Sequence, residues 1–418
     1  MPSLVRVRAF LLFFGCTLFA AAYSYFAIRG YRAFALSGHG DKISLERAVT
    51  LEPRDADPYN ILCRYVRDDE ADPSGALPYC KRSVQLNRYD AAYWLDLAQT
   101  SYEAGNTIEQ RKAVEQAIAV DPKTPEVAWA AANFYLLQGE VEPAVSLFAS
   151  VLKGDPGLVP LTLKSSWKIL GQVDPILRML PPDPAVYLQF IALLTSENQP
   201  AAAAEVWSKL IGLNAEMDYH SALFYVDRLL GWQDVVGAEK AWKQIGEHSA
   251  ELGAYQSDQN LVINGSFEND VLNSGFDWRI NPQGTTIKVD DEVAHKGHRS
   301  VLVTYSTPVL DPGLSQVLPV EPNVSYIASA WIKTDELQTA NGPRLAAFDA
   351  YSGAKLATSE PTSYTTDWTN AELQFRTGQD TKLVALKLTR DRQDTVIRGR
   401  LWVDDVQLHK SATDEKHR

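Results

Sequence analysis

The sequence has little cysteine, little histidine and no concentrated positive charge, and each shortage removes a class of function. Three cysteines stand in 418 residues, at positions 16, 63 and 80 and never as Cys-x-x-Cys, so neither a cysteine-rich zinc framework nor a dithiol redox centre can be built. Seven histidines, among them His39, His220, His295 and His298, fall at no metal-ligand spacing and form no triad-like set. The formal net charge of -12, with no basic arm, argues against a nucleic-acid partner, whose phosphates need clustered Lys and Arg. A glycine-rich nucleotide loop is missing as well. What remains is an ordinary globular composition, 45% hydrophobic and 22% charged, in a chain long enough for two or three domains.

One long apolar run does occur. Ala9 to Ile28 carries no charge and is flanked by Arg6, Arg8, Arg29 and Arg32. A run of roughly 20 residues can cross a bilayer as a helix. The first 36 residues therefore read as a membrane anchor with its N-terminus inside and the rest exported. Two other readings stay open: a removed signal peptide cut near Ala20–Ala22, and a lipoprotein box at Phe13-Phe14-Gly15-Cys16. All three deliver the bulk of the chain to the extracytoplasmic side, expected to be the periplasm, with the first leaving a single-pass protein of the bacterial inner membrane. In that setting Cys63 and Cys80, expected on facing helices, form a disulfide; in a reducing compartment they are two buried thiols.

From Ala91 to Pro156 one pattern occurs twice at a spacing of 34 residues: Gly105 answers Gly139, Asp121-Pro122 answers Asp155-Pro156, Ala98 answers Ala132 and Ile118 answers Leu152. Apolar residues at helical spacing (Tyr93, Trp94, Leu97, Ala98, Tyr102, then Ala113, Val114, Ala117, Ile118) predict a helix A closed at Gly105 and a helix B stopped before Asp121-Pro122. Such a period marks stacked helical hairpins. The tandem resembles the tetratricopeptide repeat, with Trp94, Leu97, Ala98, Gly105, Ala117 and Pro122 in the family's places. Weaker copies are predicted on either side, including a lone helix B at Leu45–Leu51 and a copy with Asn198 in the glycine place, so that residues 42–255 form an all-α superhelix. The resemblance implies a protein-binding groove lined by helix A, at Leu95, Gln99, Tyr102, Trp129, Asn133 and Leu136; the alternative is that the next helix covers Leu95 and Trp129.

Past Gln256–Gln259 helical spacing gives way to short alternating runs, among them residues 285–290, 299–305, 324–333, 344–351, 382–388 and 400–408, which predict an antiparallel β-sandwich over residues 256–410, followed by a disordered tail at 411–418. Asn260 to Glu268 (NLVINGSFE), Phe276-Asp277-Trp278, Gly297 to Leu302, Asp367-Trp368 and Leu401 to Val406 follow in the order of the jelly-roll carbohydrate-binding modules of the family four and nine type, which this segment resembles. In those modules a structural calcium is held by the residues matching Glu268 and Asp404, and Asp404 shares strand parity with the core-facing Val406 and Leu408. The alternative partners of these carboxylates are Arg279 and Arg400. Sugar contact would fall to Trp278, Trp331, Tyr351 and Trp368, aided by Arg344 and Lys387, unless these aromatics are core. Lys387, Arg390, Arg392, Arg398 and Arg400 form a mild basic cluster, suited to an acidic glycan or simply to solvated strand ends.

Three functional classes follow. The first is an exported, membrane-tethered, non-catalytic adaptor whose repeats hold a protein and whose sandwich holds a glycan, in bacterial envelope or exopolysaccharide assembly. The second is a structural interaction protein whose sandwich binds no sugar. The third, a polysaccharide-processing enzyme, needs two carboxylates across a cleft, and no separate catalytic domain is left once repeats and sandwich are assigned.

Overall fold

The computed structural model describes residues 2–255 and 260–411, with side chains from residue 13 onward. The chain divides into two compact units, Met1–Pro181 and Pro182–Arg418.

The first unit is helical: α1 (Pro2–Ser37), α2 (Lys42–Leu51), α3 (Asp57–Asp68), α4 (Pro73–Leu86), α5 (Ala91–Glu103), α6 (Thr107–Val120), α7 (Pro125–Leu137), α8 (Val141–Gly154), α9 (Val159–Leu170) and α10 (Val173–Leu177). Consecutive helices pair as α3 with α4, α5 with α6 and α7 with α8. The starts of α5 and α7, and of α6 and α8, are 34 residues apart, as the repeat predicts. Each hairpin turns on a glycine of positive φ, 73° at Gly105 and 78° at Gly139, a conformation that costs a residue with a Cβ. The next N–H then reaches back to the helix, Asn106 to the Ser101 carbonyl at 2.8 Å and Glu140 to that of Tyr135 at 2.9 Å, which satisfies carbonyls the helix end would leave open. Ala98, Ala117, Ala131 and Ala132 are wholly buried, so backbones approach closely where helices cross. Cys63 on α3 and Cys80 on α4 are joined by a disulfide, their Cα atoms 5.2 Å apart.

The helix α1 has two characters. Among the described residues no helix is long and apolar enough to cross a membrane; the expected span opens at residues 9–12, whose side chains lie outside the described ones. Phe13, Leu18, Phe19 and Phe26 are exposed. Toward its C-terminus, Ala33 is buried and Arg29 pairs with Glu52 at 3.3 Å. The predicted lone helix B is α2, and the end of α1 supplies its partner.

The second unit holds α11 (Pro184–Ser196), α12 (Pro200–Gly212), α13 (Tyr219–Gly231), α14 (Val235–Glu247), α15 (Ala250–Gly253) and the sandwich. The same turn recurs with Asn198 at φ 53° and, unforeseen, with Gln233 at φ 62°. The strands are β1 (Arg279–Ile280), β2 (Thr285–Asp290), β3 (Ser300–Tyr305), β4 (Leu314–Pro319), β5 (Ser325–Thr339), β6 (Arg344–Asp349), β7 (Lys355–Thr358), β8 (Tyr364–Arg376), β9 (Leu383–Thr389) and β10 (Ile397–Lys410). They form two antiparallel five-stranded sheets, ordered β1-β4-β9-β6-β7 and β2-β3-β10-β5-β8. Alternate residues of each sheet meet in one core around Phe267, Trp278, Val303, Tyr326, Ile332, Leu386 and Leu401.

One expectation is corrected here. Asn260–Glu268 is no opening strand but an irregular clamp: the Asn260 side chain accepts from the N–H of Leu408 at 3.0 Å, and Val406 N–H donates to the Gly265 carbonyl at 2.8 Å. A Cβ on Gly265 would stand 2.2 Å from the Val406 carbonyl oxygen, so only glycine lets the clamp close. Within the second unit, which begins at Pro182, α13 and α14 pack with the sandwich. Asp227 of α13 accepts from Ser274 Oγ at 2.5 Å and Gly275 N–H at 2.9 Å and also holds the Arg279 guanidinium. Trp242 meets Phe276 edge-on at 5.9 Å, and Tyr351 Oη donates to the Leu230 carbonyl at 2.9 Å. The change of sequence character expected at 256–259 lies outside the described residues, as does the tail beyond Ser411. Ser411 itself is buried and its N–H donates to the Ser325 carbonyl at 2.8 Å, so it closes the sandwich rather than starting a tail.

Candidate functional site

The candidate glycan site begins with a bulge in β10. Leu401 and Val403 face the core, and so do Val406 and Leu408, a change of parity that a regular strand cannot make. The register with β5 shifts between Asp404 and Gln407, and Asp405 takes a positive φ of 45°. One extra residue thus turns Asp404 to the outer side of the sheet, with Trp402, instead of the core side expected from parity with Val406.

Asp404 is nevertheless fully buried, because the segment after β2 folds over it. Its Oδ2 accepts from the N–H groups of His295 and Lys296 at 2.7 and 3.1 Å, and its Oδ1 from that of Asp405 at 2.7 Å. Glu268 Oε1 takes the N–H groups of His298 and Arg299 at 2.8 and 3.0 Å. Two carboxylates thereby fasten both ends of one loop. Burial pushes the Asp404 carboxyl above the ordinary range, against the amide bonds that pull it down. In this structure both carboxylates accept backbone N–H groups of residues 295–299, and a calcium ion would need six to eight oxygens about one point. Among the described residues no three His, Cys, Asp or Glu side chains are placed to share a metal. The alternative partners are engaged elsewhere too, Arg279 with Asp227 and Arg400 with Asp335.

The fastened loop delivers His295, which reading the sequence passed over. Its Nδ1 lies 2.5 Å from Asp405 Oδ2, and its ring stacks on Trp331 with centroids 3.9 Å apart and planes 13° off parallel. Trp368 meets the same ring edge-on at 5.6 Å. Trp331 of β5 stands opposite Asp404 of β10 on one side and Asn370 of β8 on the other. Lys333 reaches Asp367 at 2.7 Å, which holds that carboxyl below its ordinary range. The outer side of the second sheet therefore gathers two half-buried tryptophans, a histidine, an amide and an ion pair.

The other expected sugar contacts are dispersed. Trp278 is 2% exposed, packed on Phe267 in the core, and its Nε1 donates to the Asn264 carbonyl. Tyr351 docks on α13. Arg344 and Lys387 lie on the first sheet, paired with Asp391 and Asp311 at 2.9 Å each. Most of the basic cluster is likewise engaged: Arg390 is buried, donating to the Asn341 and Val309 carbonyls, and Arg392 pairs with Asp394, while Arg398 is exposed.

The expected protein groove is also redistributed. Leu136 is 3% exposed and belongs to the core, and Leu95 packs against Ala91, Ala117 and Val127. Asn133 donates to the Trp129 carbonyl, Gln99 to Glu103, and Tyr102 alone of the six is well exposed, at 47%. One concavity lies nearer the N-terminus, a 670 Å³ hollow between α1, α3 and α5 with Asp55, Asp57, Asn60, Arg64, Tyr93 and Asp96 on its walls.

With the geometry in view, comparison with known proteins follows. Residues 259–393 match the family described as carbohydrate binding domain, a span of less than half the chain. Similar solved structures include one titled "CBM4 structure and function", at 16% identity and TM-score 0.28, covering 35% of this chain and 98% of that one. A second is the endo-1,4-β-D-xylanase 10B of Clostridium thermocellum, in CBM22-1 and GH10 modules complexed with xylohexaose, at 16% identity and TM-score 0.25, covering 32% of this chain. This chain spans only 26% of that xylanase chain. A third is a tetratricopeptide repeat protein from Parabacteroides merdae, at 15% identity and TM-score 0.32, covering 54% of this chain and 93% of that one. None of the curated proteins matches this chain. The chain is a tetratricopeptide-like helical array joined to a sandwich whose sequence matches the carbohydrate-binding-domain family.

Proposed function

We propose that this protein is a non-catalytic adaptor, in which the helical array holds a protein partner and the outer side of the second sheet holds a glycan. The observation that carries it is that Trp331 and Trp368 both meet the His295 ring on one side of the sheet, with Asn370 and the Lys333–Asp367 ion pair. Aromatic faces take up the apolar side of a pyranose, while amides and charges bond its hydroxyls. The Cys63–Cys80 disulfide, a cross-link at home in an oxidising compartment, and the exposed phenylalanines of α1, which suit a lipid tether, support export as part of the same reading. Envelope or exopolysaccharide assembly is the setting that joins these features.

Retention of the full-length chain on immobilised polysaccharides tests this. Retention is expected on at least one, weakened about tenfold or more by Trp368→Ala. Indifference of the retained chain to both Trp368→Ala and Trp331→Ala would remove the site. A second reading has its own support: His295 already covers one face of Trp331, as it would in a sandwich that only completes the array. That reading holds if neither the natural chain nor His295→Ala retains any glycan.

A further inference from the structure

Counted back from the last residues of α3, α5 and α7, Asn60 stands at the place of Leu95 and Trp129, and Arg64 at the place of Gln99 and Asn133. The expected groove places of α5 and α7 thus continue onto α3, and there the residues change character. Asn60 and Arg64 line the 670 Å³ hollow between α1, α3 and α5, the first helices of three successive pairs. The neighbouring pairs fill the place of Asn60 with an apolar or aromatic side chain, so packing alone does not ask for an amide.

Asn60 is 5% exposed. Its Nδ2 donates to Asp96 Oδ2 at 2.9 Å, which sets the direction of the amide, and its Oδ1 has no hydrogen-bond partner among the described residues. A buried acceptor left in that state is unfavourable until a donor reaches it. The carboxylates on the walls fall into two sets. Asp96 is already served, since it also faces Arg67 Nη1 at 3.3 Å and Arg64 Nε at 3.9 Å. Asp55 and Asp57 are exposed, and among the described residues no cation pairs with either. Asp55 Oδ1 accepts from the N–H of Asp57 at 3.1 Å, and Asp57 accepts from Tyr93 Oη. Asp57 and Asn60 are three residues apart on α3, which puts them on one face of the helix. Phe34 of α1, largely exposed, adds an apolar wall. The helix dipole favours a carboxylate in the first turn, which accounts for Asp57 but not for the unpaired amide oxygen one turn along.

We propose that this hollow receives a lysine or arginine side chain of a protein partner, an inference that rests on the reading of the array as a protein binder and names the chemistry it selects. The cationic head would donate to Asn60 Oδ1 and to the carboxylates of Asp55 and Asp57, while its methylene stem lies along Phe34. An acidic segment would meet two carboxylates without a cation between them, and a neutral one would leave their charge uncompensated. The array therefore discriminates in favour of a basic segment.

The test is fluorescence anisotropy of the full-length chain with four labelled peptides, alike except that lysine, arginine, glutamine or glutamate is spaced along a glycine-serine backbone. The lysine or the arginine peptide is expected to bind about tenfold or more tighter than the glutamine one. Asp55→Asn/Asp57→Asn keeps an acceptor for each local bond and should erase that preference without moving the melting temperature. Asn60→Leu, which installs the residue of α5 at that place, should weaken the cationic peptide about tenfold. Glu126→Gln/Asp174→Asn removes as much charge from exposed places outside the hollow and should change nothing. The proposal is overturned if the cationic peptides gain nothing over glutamine, or if both charge-removing pairs weaken them equally, the mark of a general attraction to an acidic chain. Preference for the glutamine or glutamate peptide would overturn it as well, yet leave the array a binder of protein segments. Binding of none of the four would overturn the site and count against that wider reading too.

Discussion

The helical hairpins and the sandwich are built on opposite plans. In the hairpins α5–α8 the turn that closes each pair bonds residues five apart, and the polar contacts between neighbouring pairs, such as Asn60 to Asp96, span 36 residues. In the sandwich the decisive contacts join distant stretches: Asn260 to Leu408, Asp290 to Trp402 and His295 to Asp405 are separated by 148, 112 and 110 residues. Stacked repeats gain stability from their neighbours, so damage to one should stay near it. A sandwich closed by its last strand stands or falls as a whole.

The largest expected effect breaks the sandwich at its centre. Trp278→Ala removes a fully enclosed indole and its bond to the Asn264 carbonyl and should cost about 4 kcal/mol. Hydrogen exchange on the full-length chain would show protection lost across both sheets and, through Asp227 and Trp242, at α13 and α14, while α5–α8 keep theirs. Retained protection in α13 would separate the last hairpin from the sandwich.

Next in size is the paired change Cys63→Ser/Cys80→Ser, which opens a cross-link over 17 residues. A loop of that length stabilises by about 3 kcal/mol. The melting temperature of the first unit should fall, with the sandwich transition unmoved, and reductant should reproduce this in the natural chain. Movement of both transitions together would contradict the local plan of the array.

The smallest effect concerns pH. Burial pushes the Asp277 carboxyl up to about 6 from an ordinary value of 3.8. The folded chain therefore holds a proton there that the unfolded chain has released, so stability contributed by this group falls as pH rises from about 4 to about 6. The drop is on the order of 2–3 kcal/mol. Asp277→Asn should flatten it in denaturant titrations across that window, leaving acid stability below pH 4 nearly unchanged. A drop of the same depth in the variant would place the titrating group elsewhere.

Legibility in the sequence follows the same division. The repeat was readable from Ala91 to Pro156 because glycine, proline and small-residue places recur in a short window, and Asn198 was readable as a stand-in for glycine. Gln233 was not, since nothing local marks a glutamine for positive φ. Six strands were legible from alternation, β2 over its full extent. The long β8 was missed because its polar, largely exposed residues show no apolar period. Of the four aromatics named at the candidate site, Trp331 and Trp368 both meet His295, while Trp278 and Tyr351 have different fates. Strand position says that an aromatic faces one side of a sheet, not whether a core, a helix or solvent waits there.

By itself, then, the sequence determined the order of helical pairs and strands, because hydrophobic period, helix-closing residues and turn chemistry act over a few residues and need no distant partner. Tertiary structure alone decided that a bulge at Asp405 reverses the direction of Asp404, that two carboxylates grip one loop and set His295 on Trp331, and that the last helical hairpin belongs with the sandwich. Each of those outcomes depends on backbone and side chains brought together from far apart in the chain, where no local pattern carries the information.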